Sequence, residues 1–156
     1  MRIDAFLAES PMFAVNRAAR RFESLAARLL ASDGLGFLEG LILAALFFES
    51  PRRVMPSQLA ATFSTTRGNV SHSVSSLEAK GLLQRRINPE DARAYQLSLK
   101  PQGRRCAVRV IGVFDKLQKR FEREIGKAAL SMMLLSLRNL ESLSAAGENA
   151  ALRQRM

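Results

Sequence analysis

The sequence predicts an all-α chain interrupted once by a β-hairpin. Apolar residues recur at three- and four-residue steps on both sides of the middle of the chain. Between Leu83 and Leu99 the period drops to two. Proline, glycine and hydroxyl residues stand where helices should start and stop.

Residues 11–32 read as the first helix, with Phe13, Ala18, Phe22, Leu25 and Leu29 on one stripe, Ser10-Pro11 as its start and Ser32-Asp33-Gly34 as its stop. A second, mostly buried helix covers about 36–49 and ends before Ser50-Pro51, because the residue ahead of proline resists helical geometry. Pro56 suits the first position of a short helix over 56–62, which Ser64-Thr65-Thr66 ends. Thr66 is placed to cap a further helix running to Ala79, with Val70, Val74 and Leu77 inward. Lys80 suits the negative end of that helix and Gly81 its left-handed cap.

Leu83, Arg85 and Ile87 then alternate with Gln84 and Arg86, and Tyr95, Leu97 and Leu99 with Gln96 and Ser98. Between them, 88–93 form a polar, turn-rich tip. From Pro101 a helical stripe of Cys106, Val110, Val113, Phe114, Leu117, Phe121 and Ile125 runs to a break at Gly126. A last helix carries Leu130, Met133, Leu134, Leu137, Leu140 and Leu143, and is expected to fray from about Ala145. Two unequal helices joined by a tight turn, the second backed by a hairpin, are a winged helix-turn-helix. The predicted fold class is therefore all-α with a small β-hairpin wing. The expected organisation is one structural domain: N-terminal helices over 1–50, the winged helix-turn-helix over 51–100, and C-terminal helices over 101–156. The run Met132-Met133-Leu134-Leu135, with Phe114, Phe121 and Leu137, is too apolar for one face of a small monomer, so the terminal helices are expected to bury it against a second copy.

The chain has 156 residues and a formal charge of +10. Residues 51–109 hold 11 basic and 3 acidic groups, net +8, whereas 1–50 hold 5 and 6. A positive field concentrated in this way attracts polyanions, nucleic acid first. One cysteine, Cys106, precludes an internal disulfide and fits a reducing compartment. With no basic-then-apolar leader and no membrane-length apolar run, the expected location is the cytoplasm. Cys106 lies on the apolar stripe of its helix, which favours a structural thiol over a redox sensor despite Arg104 and Arg105 nearby. His72 is the only histidine, so one chain assembles no metal cluster and no histidine-based catalytic set. No nucleophile–base pair and no phosphate-cradling glycine loop is present; neither an enzyme nor a cofactor is expected.

The chemistry resides in helix 66–79. Opposite its apolar stripe lie Arg67, Gly68, Ser71, His72 and Ser75, with Asn69 beside them and the only carboxylate, Glu78, at the far end. Exposed helix faces ordinarily mix Glu with Lys, whereas this one offers donors, acceptors and small residues suited to a major groove. Arg matches guanine O6 and N7, Asn matches adenine N6 and N7, and Ser serves either. Thr66, Arg67, Asn69, Ser71 and His72 are the candidate DNA contacts of this helix. In the hairpin, Arg85 and Arg86 are candidates for the phosphate backbone. Arg93 at the tip suits a narrow minor groove, and Asp91 can hold the shape of the wing.

These residues resemble a known family. Pro56-Ser57-Gln58-Leu59-Ala60, Asn69-Val70-Ser71-His72, Leu77-Glu78-Ala79-Lys80-Gly81-Leu82-Leu83, Arg85-Arg86, Asn88-Pro89-Glu90-Asp91-Ala92-Arg93 and Leu97-Ser98-Leu99-Lys100-Pro101-Gln102-Gly103 look like the MarR family of bacterial regulators over about 55–105. The resemblance implies an intertwined homodimer whose first and last two helices form the dimerisation region. It further implies recognition helices in adjacent major grooves and the wing arginine in the minor groove. A pseudo-palindromic operator and a repressor released by a small phenolic or lipophilic effector follow from it, with no assignable ligand residues. His72 stands where the family often has arginine, and Lys100 and Met55 replace helix-capping threonines. The competing reading is a winged-helix protein-interaction or architectural module without an effector.

Overall fold

The computed structural model describes the backbone of residues 2–88 and 91–153, and the side chains of 3–87 and 95–143. Its elements run α1 (Arg2–Glu9), α2 (Pro11–Leu30), a 3-10 turn (Ala31–Asp33), α3 (Phe37–Glu49), α4 (Pro56–Thr62), α5 (Arg67–Ala79), β1 (Leu83–Asn88), β2 (Asp91–Leu99), α6 (Pro101–Ile125) and α7 (Lys127–Arg153). The chain forms two compact units, 1–114 and 115–156.

In the first unit the caps read from sequence do what their chemistry requires. Ser10 Oγ accepts from Phe13 N–H (3.3 Å) with Pro11 as the first helical residue. Thr66 Oγ1 accepts from Asn69 N–H (3.1 Å), and Gly81 takes φ +70° past the end of α5. Met55 has no capping oxygen, yet its own N–H is satisfied, because Gln58 Oε1 turns back to accept from it at 2.8 Å. Glu39 does the same for Gly36 N–H at 2.7 Å.

Three features depart from the expectation. Residues 2–9 form a helix absent from the expected elements, although Ile3, Phe6 and Leu7 stand at helical spacing. The hairpin is longer than its alternating residues, since β2 begins at Asp91, with an irregularity between Ile87 and Asn88. Backbone pairing carries the strand into a polar segment that pattern alone assigns to the tip. In the second unit α7 is helical to Arg153 rather than fraying from Ala145, in keeping with the alanines at 145, 146, 150 and 151.

The core of the first unit is one apolar cluster. Leu30, Ile42, Leu43, Val70, Val74, Leu77, Leu83, Leu97 and Val110 are its fully buried large side chains. It draws on α2, α3, α5, both strands and α6, so the helix-turn-helix and its wing stand on a common base. The strands pair antiparallel with Arg85 opposite Leu97 and Arg86 opposite Gln96. Val54 adds a third chain at the outer edge, its carbonyl accepting from Leu97 N–H at 2.9 Å. The start of α6 is set against the backbone of Leu82, whose carbonyl accepts from Lys100 N–H (3.0 Å). A Cβ on Gly103 would lie 1.8 Å from that oxygen, so only glycine fits.

Cys106 is buried, and burial, followed by the charge of Asp33, pushes its thiol above the ordinary range. Asp33 itself accepts from Arg109 Nε at 2.9 Å. That environment disfavours the thiolate and fits a structural role.

The second unit contains the last turns of α6 and all of α7, separated by Gly126 at φ +90°. Lys119 pairs with Asp115 at 2.8 Å on the surface of α6. On α7, Met132, Met133, Leu134, Leu135, Leu140 and Leu143 are exposed. Among the described residues no single helix is long and apolar enough to cross a membrane.

Candidate nucleic-acid interface

Helix α5 presents the face expected of it. Thr66, Arg67, Gly68, Asn69, Ser71, His72 and Ser75 are exposed, while Val70, Ser73, Val74 and Leu77 are buried. Asn69 is held from below, its Nδ2 donating to Thr65 Oγ1 at 3.2 Å. Ser75 Oγ donates to Ser71 carbonyl (3.0 Å) and accepts from Arg85 Nη2 (2.7 Å).

The one acid on this helix is neutralised. Glu78 pairs with Arg85 Nη1 at 3.5 Å and accepts from Arg85 N–H at 3.2 Å. The structure thereby separates two arginines that the sequence left equivalent. Arg85 is half-buried and ties the root of the wing to α5, whereas Arg86 is exposed on the opposite face of the sheet. Gln84, with its amide oxygen turned toward the donors, accepts from Arg86 Nε and Nη2 at 3.2 and 3.0 Å and from Ser98 Oγ at 3.2 Å. The backbones of Asp91 and Arg93 belong to β2, and their side chains lie outside the described residues.

Sequence reasoning missed the group that orients this helix. Lys80 does more than complement the end of α5. Its Nζ donates to Glu39 Oε1 and Oε2 (2.7 and 2.9 Å) and to Gly34 carbonyl (2.7 Å), joining the last turn of α5 to the first turn of α3. The partners are 41 residues apart, and no local pattern links them. Burial pushes the Glu39 carboxyl up, but Lys80, Gly36 N–H and the Ser76 hydroxyl together hold it below its ordinary value. Glu39 and Lys80 line a groove with Glu23, Phe37, His72 and Ser76, so His72 sits where the reading face meets this pair.

Because its folded pKa is depressed, Glu39 contributes stability above the ordinary carboxylate range, and that contribution is lost as pH falls through the folded value. Glu39→Gln is expected to destabilise the protein by about 1–3 kcal/mol at neutral pH, between the values for surface and buried pairs. The gap to wild type should narrow below about pH 4. Urea unfolding at several pH values measures it; a gap independent of pH would remove the ionised pair from the account.

Among the described residues no group of three or more His, Cys, Asp or Glu side chains could hold a metal ion. The interface is built instead of hydrogen-bonding groups and arginines on a helix braced at its far end.

Comparison with known proteins agrees with this arrangement. The MarR family model matches residues 33–94, from the turn before α3 into β2. No curated protein matches the chain by sequence. Among solved structures, the S. aureus MepR–DNA complex is similar with a TM-score of 0.76 at 16% identity, covering 85% of this chain and 95% of that one. M. tuberculosis MosR in complex with DNA has a TM-score of 0.74 at 21% identity, covering 88% and 98%. CouR from Rhodococcus jostii RHA1 bound to p-coumaroyl-CoA has a TM-score of 0.73 at 22% identity, covering 86% and 93%. At these identities the solved structures speak for the fold, and the family model speaks for the segment that contains the helix-turn-helix and most of the wing. The fold is thus that of the solved winged helix-turn-helix regulators, and residues 33–94 are similar to the MarR family.

Proposed function

We propose that the chain is a homodimeric, DNA-binding transcriptional repressor that holds a pseudo-palindromic operator and releases it when a small molecule binds. The observation that carries this reading is the N-terminal half of α5: capped, exposed, free of acids, and lined with Arg67, Asn69, Ser71 and His72. In this reading those side chains read base edges, and Thr66 contacts phosphate. Arg86 holds the backbone, and Arg93, with Asp91 shaping the tip, enters the minor groove. Arg85 braces the wing and contributes to binding through that brace. MepR and MosR, both similar in fold, were solved with DNA, which supports the partner.

The terminal helices, 1–50 and 101–156, form the dimerisation region in this proposal. The exposed apolar side chains of α7 support it, since a second copy is the commonest cover for such a surface. CouR, with its aromatic acyl thioester, supports an effector of lipophilic acid type. A repressor of this kind acts in the cytoplasm, with the chromosome.

The test is a gel shift of DNA from upstream of the encoding gene, with wild type and Arg67→Ala compared on that duplex and on a scrambled one. Arg67→Ala is expected to cost about 1–3 kcal/mol on the operator and little on the scrambled duplex. A wild type that ignores its own upstream DNA at low salt, or that sediments as a monomer, would overturn the proposal.

A further inference from the structure

The wing has a second face, turned away from α5, of which the reading above uses only Arg86. Side chains alternate along a strand, so Leu83, Arg85 and Leu97 face the core and α5 while Gln84, Arg86, Gln96 and Ser98 face outward. The segment before α4 extends this outer face. With Val54 paired opposite Leu97, antiparallel continuation sets Arg53 opposite Ser98, on the outward side. Arg53 Nη1 donates to Gln96 Oε1 at 3.3 Å. Arg86 is held in turn by Gln84, across from Gln96.

The result is a row of two exposed guanidinium groups, each steadied by a glutamine carbonyl, with Ser98 between their strands. Residues 51–55, 83–87 and 95–99 include no Asp or Glu, so nothing on these segments neutralises the pair. Arg52 adds an exposed charge beside it. Among the described residues each of these guanidinium groups partners only a neutral amide, which leaves its charge and most of its donors available, and its fork matches phosphate oxygens. Arg85, by contrast, spends its charge on Glu78.

We propose that this outer face of the wing is a second binding surface for the DNA backbone, with Arg53 and Arg86 taking phosphates that flank the base-read site. The inference rests on the DNA-binding reading above and adds to it a site of no sequence preference. The occupant is a polyanion because the described residues of this surface offer guanidinium charge with no carboxylate among them. Its continuity with the strands that lead to the wing tip places it beside the same duplex.

The experiment is fluorescence anisotropy on the full chain, with scrambled duplexes of about two and about four helical turns across a salt series. The double variant Arg53→Gln and Arg86→Gln keeps a hydrogen-bonding side chain at each position, and its thermal midpoint should match wild type. Wild type is expected to bind the long duplex more tightly than its extra sites alone explain. The variant should lose that preference, and its log–log salt slope should be shallower by about 0.9 for each phosphate contact removed. Lysine at both positions should restore the slope, which a purely structural role for the arginines would not. Operator-over-scrambled discrimination should stay as in wild type, whereas Arg67→Ala lowers it. If the variant keeps the wild-type slope and length preference while Arg67→Ala still loses discrimination, the outer face is not a phosphate site, and base reading by α5 stands without the backbone contact given to Arg86. If wild type binds no duplex at low salt, both fall. Should an acidic peptide compete with DNA for wild type but not for the double variant, without any change of salt slope on DNA, the occupant is a protein and the inference fails.

Discussion

Gly103→Ala should yield little folded protein, whereas Gly112→Ala in the same helix should be neutral or stabilising. The two glycines share a helix and differ only in what a methyl group would meet. At Gly103 it would lie 1.8 Å from Leu82 carbonyl oxygen and 2.7 Å from its carbon, both backbone atoms that cannot rotate aside. The start of α6 would have to lift off the turn between α5 and β1, breaking the Lys100–Leu82 hydrogen bond and loosening Cys106 and Ala107 in the core. Overpacking against rigid backbone belongs at the upper end of point-mutation effects, about 3–5 kcal/mol, a large part of the 5–15 kcal/mol that typically holds a domain together. At Gly112 a Cβ meets nothing within 4 Å, so alanine gains helix propensity of about 0.5–1 kcal/mol. Urea midpoints of the two variants measure the difference. Equal shifts would mean that the packing of α6 on Leu82 does not constrain position 103.

The second large effect is on DNA affinity as salt is raised. In the proposed reading Arg53 and Arg86 meet phosphates and Arg93 enters the minor groove, three cationic contacts per protomer and hence six in a two-fold dimer. A complex with 6–10 phosphate contacts loses roughly 10³–10⁵ in affinity between 50 and 200 mM salt, because each neutralised phosphate releases condensed counterions. Arg85 is left out of the count, since its charge is already met by Glu78. Anisotropy titrations over that range give the slope directly. A change below tenfold would be incompatible with a binding surface built on these arginines.

Local chemistry was legible in the sequence and distant pairing was not. The bounds of α4 and α5 followed from Pro56, Thr66 and Gly81, because each of these residues acts within its own turn of chain. The reading face of α5 was legible for the same reason, since helical period alone decides which residues stand opposite Val70, Val74 and Leu77. Helix α1 escaped notice because its apolar stripe, Ile3, Phe6 and Leu7, spans little more than one turn. Val54 joins the sheet through a single bridge, too short for a period-two pattern. The ties of Lys80 to Glu39 and of Gly103 to Leu82 come from packing between segments, and composition gives no sign of them. The division of labour between Arg85 and Arg86 turned on one acid, Glu78, whose reach across to β1 only the fold supplies.

Asn69 shows what a small detail of the unbound state is worth. An amide nitrogen carries two hydrogens, and Thr65 occupies one of them. The other hydrogen and the carbonyl oxygen remain free to meet, in the proposed reading, the two edge atoms of an adenine. The side chain therefore has a resting contact that it need not surrender to engage a base. Freezing a loose side chain on association costs about 0.5–1.5 kcal/mol, and this contact offsets part of that cost. Replacing the hydroxyl of Thr65 would therefore leave every proposed DNA contact in place and still weaken binding.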